Sequence, residues 1–175
     1  MNNDLRNMSP DPQSVTPFLP DYKSRISDNN FKTLSMEEIS QKISSSRNYW
    51  ISTSINNKPH SFPIWGIWLE NQFIFSSGPN SKKVKNLLQN SYCTITTEDA
   101  NKPVIIEGIA YREKRIERLA LIVVEYNSKY NWEFMVKDAK LEDKRGNGGP
   151  VFAVQPQKIF AWNEFPITFS KWVFK

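Results

Sequence analysis

The chain has 175 residues, 39% of them hydrophobic and 23% charged, a composition that fits one folded domain with a real core and excludes a disordered tail. One cysteine, Cys93, and one histidine, His60, exclude a disulfide framework, a cysteine-rich zinc module, a multi-histidine metal site and most histidine relays. The net charge of +5 points to anionic partners, and because residues 1–30 hold Arg6, Lys23 and Arg25 against Asp4, Asp11, Asp21 and Asp28, the excess lies in the body of the chain.

Residues 1–33 carry Pro10, Pro12, Pro17 and Pro20 with no sustained period, and read as an extended N-terminal arm ahead of a single domain over residues 34–175. The arm has no apolar segment of the signal-peptide kind, and no apolar run approaches the roughly 18 residues of a membrane span. The expected compartment is the cytoplasm, which the single cysteine also suits.

Ser35-Met36-Glu37-Glu38 matches a capping box, and Met36, Ile39 and Ile43 give helical spacing from Met36 to Ser44. The period then changes. Tyr49 to Ile55, His60 to Leu69 and Phe73 to Ser77 read as a three-strand meander, with turns at Asn56 to Pro59 and Glu70 to Gln72. Gly78-Pro79 stops it, and Asn80 or Ser81 caps a helix over Lys82 to Gln89. Strands are expected over Tyr92 to Thr97 and Val104 to Tyr111, and a helix from Lys114 to Tyr126 with Ile116, Leu119, Ala120 and Val123 inward. Glu142 to Gly149 reads as a charged loop with a solvated face, Val151 to Val154 and Lys158 to Trp162 as strands around Pro156, and Thr168 to Phe174 as a last extended segment. Tight turns and the lack of recurring βαβ crossovers predict a mainly β, antiparallel barrel or sandwich with covering helices.

The chemistry concentrates in Phe75-Ser76-Ser77-Gly78-Pro79-Asn80-Ser81-Lys82-Lys83. A strand ending in two hydroxyls meets a turn, then a helix whose first turn holds a serine and two lysines. First-turn lysines oppose the helix dipole, a conflict that a bound phosphate reverses. On its own the pattern is equally a solvated basic helix start. The strand His60 to Trp68 crowds Phe62, Pro63, Trp65 and Trp68 together, and a proline inside a strand requires an edge or a bulge. Such an edge beside flat rings can hold a planar ring system, although strand aromatics are ordinarily core.

These segments, Lys58-Pro59-His60-Ser61-Phe62-Pro63-Ile64-Trp65, Phe75 to Leu87, Val104 to Ala110, Pro156 to Trp162 and Ser170 to Phe174, resemble the pyridoxamine 5'-phosphate oxidase-like FMN-binding split-barrel family over about Tyr49 to Phe174. The resemblance implies a six-stranded antiparallel split β-barrel of Greek-key type, a homodimer with FMN between subunits, and FMN-dependent oxidoreductase activity on an unnamed small-molecule substrate. By position, Ser81, Lys82 and Lys83 would hold the FMN phosphate with Ser76 and Ser77 beside them. Ser61, Phe62, Pro63, Ile64 and Trp65 would run along the flavin ring through backbone contacts, and Trp162 and Lys171 would arrive from the C-terminal segment of the other subunit. Glu107-Gly108 matches a family strand pair with a structural role. The family oxidase places an arginine where this chain has Ser61, and carries an Arg-x-His pair where this chain has Thr168, Phe169 and Ser170. The flavin expectation outlives those losses; pyridoxamine phosphate as substrate does not.

Three other readings remain. The deazaflavin F420, or flavin carriage without turnover, suits the same fold. A single-stranded nucleic-acid module would use the tryptophans as stacking platforms, but the lysines cluster at a helix start instead of tracking a sheet face. His60 reads as an edge residue, and Cys93, in a strand, as buried and inert.

Overall fold

The structure is a computed structural model describing residues 12–17, by backbone alone, and 32–174. The expected arm therefore lies mostly outside the described residues.

Eleven strands and three helices follow in the order β1 (Pro12–Pro17), α1 (Met36–Ser45), β2 (Tyr49–Ile55), β3 (Lys58–Ile64), β4 (Ile67–Leu69), β5 (Gln72–Ser76), α2 (Lys82–Leu87), β6 (Tyr92–Thr97), β7 (Val104–Glu113), α3 (Ile116–Tyr130), β8 (Met135–Lys137), β9 (Lys140–Glu142), β10 (Gly148–Ala161) and β11 (Ser170–Phe174). Every strand pair is antiparallel. The continuous path runs β1-β11-β10-β7-β6-β2-β3, with β5 on the other side of the N-terminal half of β10 and β4 beyond it. Six strands, β3-β2-β6-β7-β10-β5, curl into a barrel that stays open between β3 and β4, and the chain itself crosses that gap at Trp65-Gly66. This is the antiparallel split barrel that the sequence resemblance implies.

Alternation fills the barrel. Tyr49 and Ile51 of β2, Phe73 and Phe75 of β5, Ile95 of β6, Ile106 of β7 and Phe152 and Val154 of β10 form one buried cluster, which α1 covers with Ile39 and Ile43. Helix α1 starts with the expected capping box, Ser35 and Glu38 each accepting from the other's backbone N–H. A second buried cluster lies outside the barrel wall, where Leu119, Ile122, Tyr126 and Tyr130 of α3 pack on Ile74, Val151 and Ala153.

The structure corrects the sequence reading in five places. The expected second strand breaks at Gly66, so there is no meander: β3 pairs with β2, and β4 pairs with β5. A Cβ at Gly66 would sit 2.2 Å from Phe73 Cζ, so only glycine lets the chain cross the gap this close to the core. Helix α2 ends at Leu87, short of Gln89. Helix α3 begins later and runs to Tyr130, and its wheel is rotated: Arg118, Leu119, Ile122 and Tyr126 are buried, whereas Ile116 is 58% exposed and Ala120 also faces outward. The β8–β9 hairpin, unforeseen, absorbs Glu142 and reduces the charged loop to the turn at Asp143–Asn147. Finally, the two strands expected around Pro156 are one strand, β10, which tolerates the proline at a register shift opposite Gly108. A Cβ on Gly108 would lie 2.4 Å from Gln155 O, consistent with a structural reason for Glu107-Gly108.

Gly66→Ala is expected to cost about 1–3 kcal/mol, because the fully buried Phe73 ring has nowhere to move. Urea unfolding checks this, and an unchanged midpoint would show that the gap is not held tightly here.

Candidate anion and ring site at the barrel opening

The opening brings β3, the end of β5 and the start of α2 together. Strand β3 ends the ordered path, so one backbone edge is unpaired among the described residues. Pro59 and Pro63 have no N–H to give β2, so residues of their parity direct backbone groups away from β2. Ser61 shares that parity, and its N–H is therefore the edge donor between two prolines. The Ser61 hydroxyl sits 2.6 Å from that of Ser52, across the strand pair. Phe62 is on the barrel-facing parity yet 49% exposed, because the barrel is open beside it. Ile64 is buried; Trp65 is half-buried.

Across the opening, Tyr126 of α3 pins both rims. Its hydroxyl donates to Trp65 O at 2.7 Å and accepts from Ser76 N–H at 3.4 Å. Tyr130, one turn later, holds only the chain crossing the gap: its hydroxyl accepts from the Gly66 N–H at 2.7 Å and lies within donating distance of Gly66 O at 2.8 Å and Arg47 O at 2.9 Å. Trp65 lies flat on Tyr130, ring centroids 4.5 Å apart. The Trp65 carbonyl is thus engaged by Tyr126 within the chain. The strand's exposed edge runs from Lys58 to Pro63.

The corner itself is built from hydroxyls, amides and ammonium groups. Ser76 Oγ donates to Gly149 O at 3.0 Å and is committed to the fold. Ser77 Oγ and Ser81 Oγ are 3.2 Å apart, and since their bond uses one of two hydroxyl protons, one remains for a ligand. Ser81 caps α2 by accepting from Val84 N–H. The amides of Lys82 and Lys83 find no acceptor among the described residues, as expected of a first helical turn. With only six residues in α2, the helix dipole is a minor contributor, and the side chains carry the corner.

Lys83 stands out. Its residue is 9% exposed, its Nζ lies 4.5 Å from the centre of the Phe62 ring, and no carboxylate pairs with it among the described residues. Burial therefore lowers its pKa, with no charge partner to restore it. Lys82 beside it is exposed. Helix α2 is fixed over this corner by Asn86, whose amide donates to Thr53 Oγ1 at 3.0 Å, and by Asn90, which donates to Ser54 O at 3.1 Å. Nothing in the sequence pattern distinguished these asparagines from surface residues.

Trp162 and Lys171 do not join this corner within one chain. Ser76 pairs with Val151, whereas Ser170 pairs with Ala161, roughly 30 Å further along β10. Trp162 packs edge-on against Phe169 at 5.1 Å. Lys171 falls in a cross-strand row on the outer face of the sheet, Pro63–Trp50–Thr96–Ile105–Phe160–Lys171. His60, half-buried, stacks on Phe62 at 6.0 Å, and Cys93 is buried with its thiol pushed up to about 12, which fits an inert cysteine.

The fold is a split antiparallel barrel whose opening presents Lys83 without a carboxylate partner among the described residues, the first-turn amides of α2 and an exposed strand edge. The family model for pyridoxamine 5'-phosphate oxidase matches residues 35–163, and the chain belongs to that family. Similar solved structures include a conserved hypothetical protein of Mycobacterium tuberculosis, 18% identical with TM-score 0.62 over 78% of this chain and 89% of that one. General Stress Protein 26 from Bacillus anthracis str. Sterne is 21% identical with TM-score 0.56 over 73% and 93%. A FAD-binding protein of Mesorhizobium loti is 14% identical with TM-score 0.55 over 81% and 97%. These likenesses establish the fold. No curated protein matches the chain. Among the described residues no helix is long and apolar enough to cross a membrane, and no cluster of His, Cys, Asp and Glu is placed to hold a metal ion.

Proposed function

We propose that the chain is a flavin-dependent oxidoreductase that binds FMN at the barrel opening and works as a homodimer. The observation that carries this reading is Lys83, nine-tenths buried with no carboxylate beside it. Partly withdrawing an ammonium from water with no carboxylate beside it is costly, and an anion at the Ser77–Ser81 corner would offset that cost. The residues present fit a flavin phosphate: Lys83 and Lys82 supply charge, Ser81 and Ser77 a spare hydroxyl proton, and the Lys82 and Lys83 amides two further donors. Ser76 shapes the wall. Along β3, the Ser61 N–H and the neighbouring proline carbonyls offer one donor and acceptors to a planar heterocycle, with Phe62 and Pro63 as apolar neighbours.

Bound FMN supplies the electron chemistry, accepting or passing a hydride equivalent. The protein's own residues bind, orient and shield.

The dimer is supported by the outer face, where Trp50 is 49% and Tyr92 60% exposed beside Ile105 and Ile109. A second copy on that face would bring its own Trp162 and Lys171, the two residues that this chain holds far from its corner. A cytoplasmic location belongs to the same reading, supported by a lone, unpaired Cys93.

Titrating the apo-protein with FMN and, in parallel, with F420 tests the proposal through flavin fluorescence quenching. Saturable binding of FMN is expected; preference for F420 would keep the site and change the cofactor, and binding of neither would overturn the reading.

A further inference from the structure

Beside Ser77, between the end of β5, α3 and the Asp143–Asn147 turn, lies a cleft of about 470 Å³ that shares Ser76 and Ser77 with the flavin corner. Its apolar walls are Trp65, Tyr126 and Phe134, and its polar points are Ser76, Ser77 and Asn147. No charged side chain lines it.

The walls are rigid. Trp65 is clamped flat on Tyr130, Tyr126 meets Phe134 edge-on at 6.0 Å, and Trp132 closes on Phe134 at 6.1 Å. Asn127 fixes the start of the hairpin, donating to Phe134 O and accepting from Phe134 N–H, each at 2.8 Å. The opposite lip is the turn at Asp143–Asn147. There the Asp143 carboxylate accepts from the backbone of Arg145 and Asn147 at 2.8 Å each and from the Asn147 side-chain amide at 3.0 Å. That amide is therefore engaged, while Asn147 Oδ1 accepts no hydrogen bond among the described residues.

Most polar groups facing the cleft are satisfied. Tyr126 and Ser76 are committed to the fold, and Ser77 is shared with Ser81. What remains is an aromatic slot with the open acceptor Asn147 Oδ1, the spare hydroxyl proton of the Ser77–Ser81 pair, and no charged side chain in its lining. A flat ring with a hydroxyl or N–H group suits it; a phosphorylated or carboxylated ring would bring a charge to a lining that offers a neutral hydroxyl and no cation. We infer that this cleft is a second ligand site, selective for a neutral planar aromatic molecule bearing a hydrogen-bond donor. Its binding stands on the cleft alone; its use as the seat of the second reactant, next to the flavin corner through Ser77, rests on the cofactor reading.

Isothermal titration with the matched probes 1-naphthol and 1-naphthyl phosphate tests the inference. Binding of 1-naphthol is expected, with the phosphate at least about tenfold weaker. Phe134→Ala should weaken 1-naphthol at least about tenfold. Since that change could also loosen the hairpin, Asn147→Lys on the exposed turn reverses the selectivity: the added cation should raise affinity for 1-naphthyl phosphate, while loss of the Oδ1 acceptor should weaken 1-naphthol. No binding of 1-naphthol, equal or tighter binding of its phosphate, or indifference of both variants would each overturn the inference. FMN titrated in the same samples separates the two readings, because flavin binding without 1-naphthol binding removes only the cleft, and the converse removes only the flavin.

Discussion

Replacing Lys82 and Lys83 together by alanine is expected to weaken FMN binding by about two orders of magnitude. Charge-assisted bonds to phosphate contribute roughly 1.5–3 kcal/mol each where water is excluded, and less than about 1 kcal/mol where it is not. Lys83, largely buried, lies nearer the first case and exposed Lys82 the second, so the pair sums to roughly 3 kcal/mol, or a factor of about a hundred. The single change Lys83→Met should act in two opposite directions. It removes the anion's principal counterion, yet it also removes an ammonium whose folded-state pKa burial has lowered. A lysine depressed in this way penalises the folded state at low pH, where it is charged in both states. The penalty is relieved as pH rises from the folded value toward the unfolded 10.5. The apo variant should therefore melt at or above the wild-type temperature at neutral pH while holding FMN more weakly. Fluorescence titration and thermal melts in apo buffer read both halves. Undiminished FMN affinity would show that the phosphate sits elsewhere.

Loss of the Glu113 carboxylate is expected to be the most damaging single change to stability, about 3–5 kcal/mol for Glu113→Ala. Its side chain is fully buried at the junction of β7 and α3. It accepts from Arg115 Nη2 at 2.7 Å and Arg118 Nη1 at 3.0 Å, and from the backbone N–H of Lys114 and Arg115 at 2.9 Å each. Arg118, itself buried, reaches on to Gln72 Oε1 at 2.6 Å and Glu70 at 3.1 Å, so the network ties α3 to β5. Burial alone would raise the Glu113 pKa, but the bonds from Arg115 and then Arg118 overcome it and hold the group at about 2. Because the folded value lies below the unfolded 4.5, this stabilisation is complete above about pH 4.5 and is lost as pH falls toward 2. Urea midpoints of wild type should therefore drop across that window, and those of Glu113→Gln should drop less. Equal acid sensitivity in the two proteins would show that another carboxylate controls acid unfolding.

How much of this was readable beforehand follows from the range of the forces involved. Local signals were reliable: the capping box at Ser35, the Ser81 cap, and the alternation in β2, β6 and β7 all reflect neighbours within a few residues. The rotation of α3 was not, because Arg118 is drawn inward by Glu113 and Gln72, and no apolar periodicity announces a buried guanidinium. The β8–β9 hairpin is two three-residue strands that owe their existence to β10, so Met135 to Glu142 held no period to find. At the site, residue types pointed to the corner, but the burial of Lys83 depends on Phe62, twenty-one positions away, and only the fold brings the two together. Trp65 was assigned to ring binding by position; its stacking on Tyr130 and its occupied carbonyl come from α3, on the far side of the gap.

The two prolines of β3 have one more effect. With Pro59 and Pro63 turned outward, that rim offers a single amide between two blank positions, too sparse a ladder for a strand from another molecule to zip onto. Self-association by edge recruitment, the usual hazard of an open sheet, is thereby blocked at the one place the barrel must stay open. At this rim a neighbouring copy could therefore meet this chain only broadside, leaving the barrel's entrance clear of a borrowed strand.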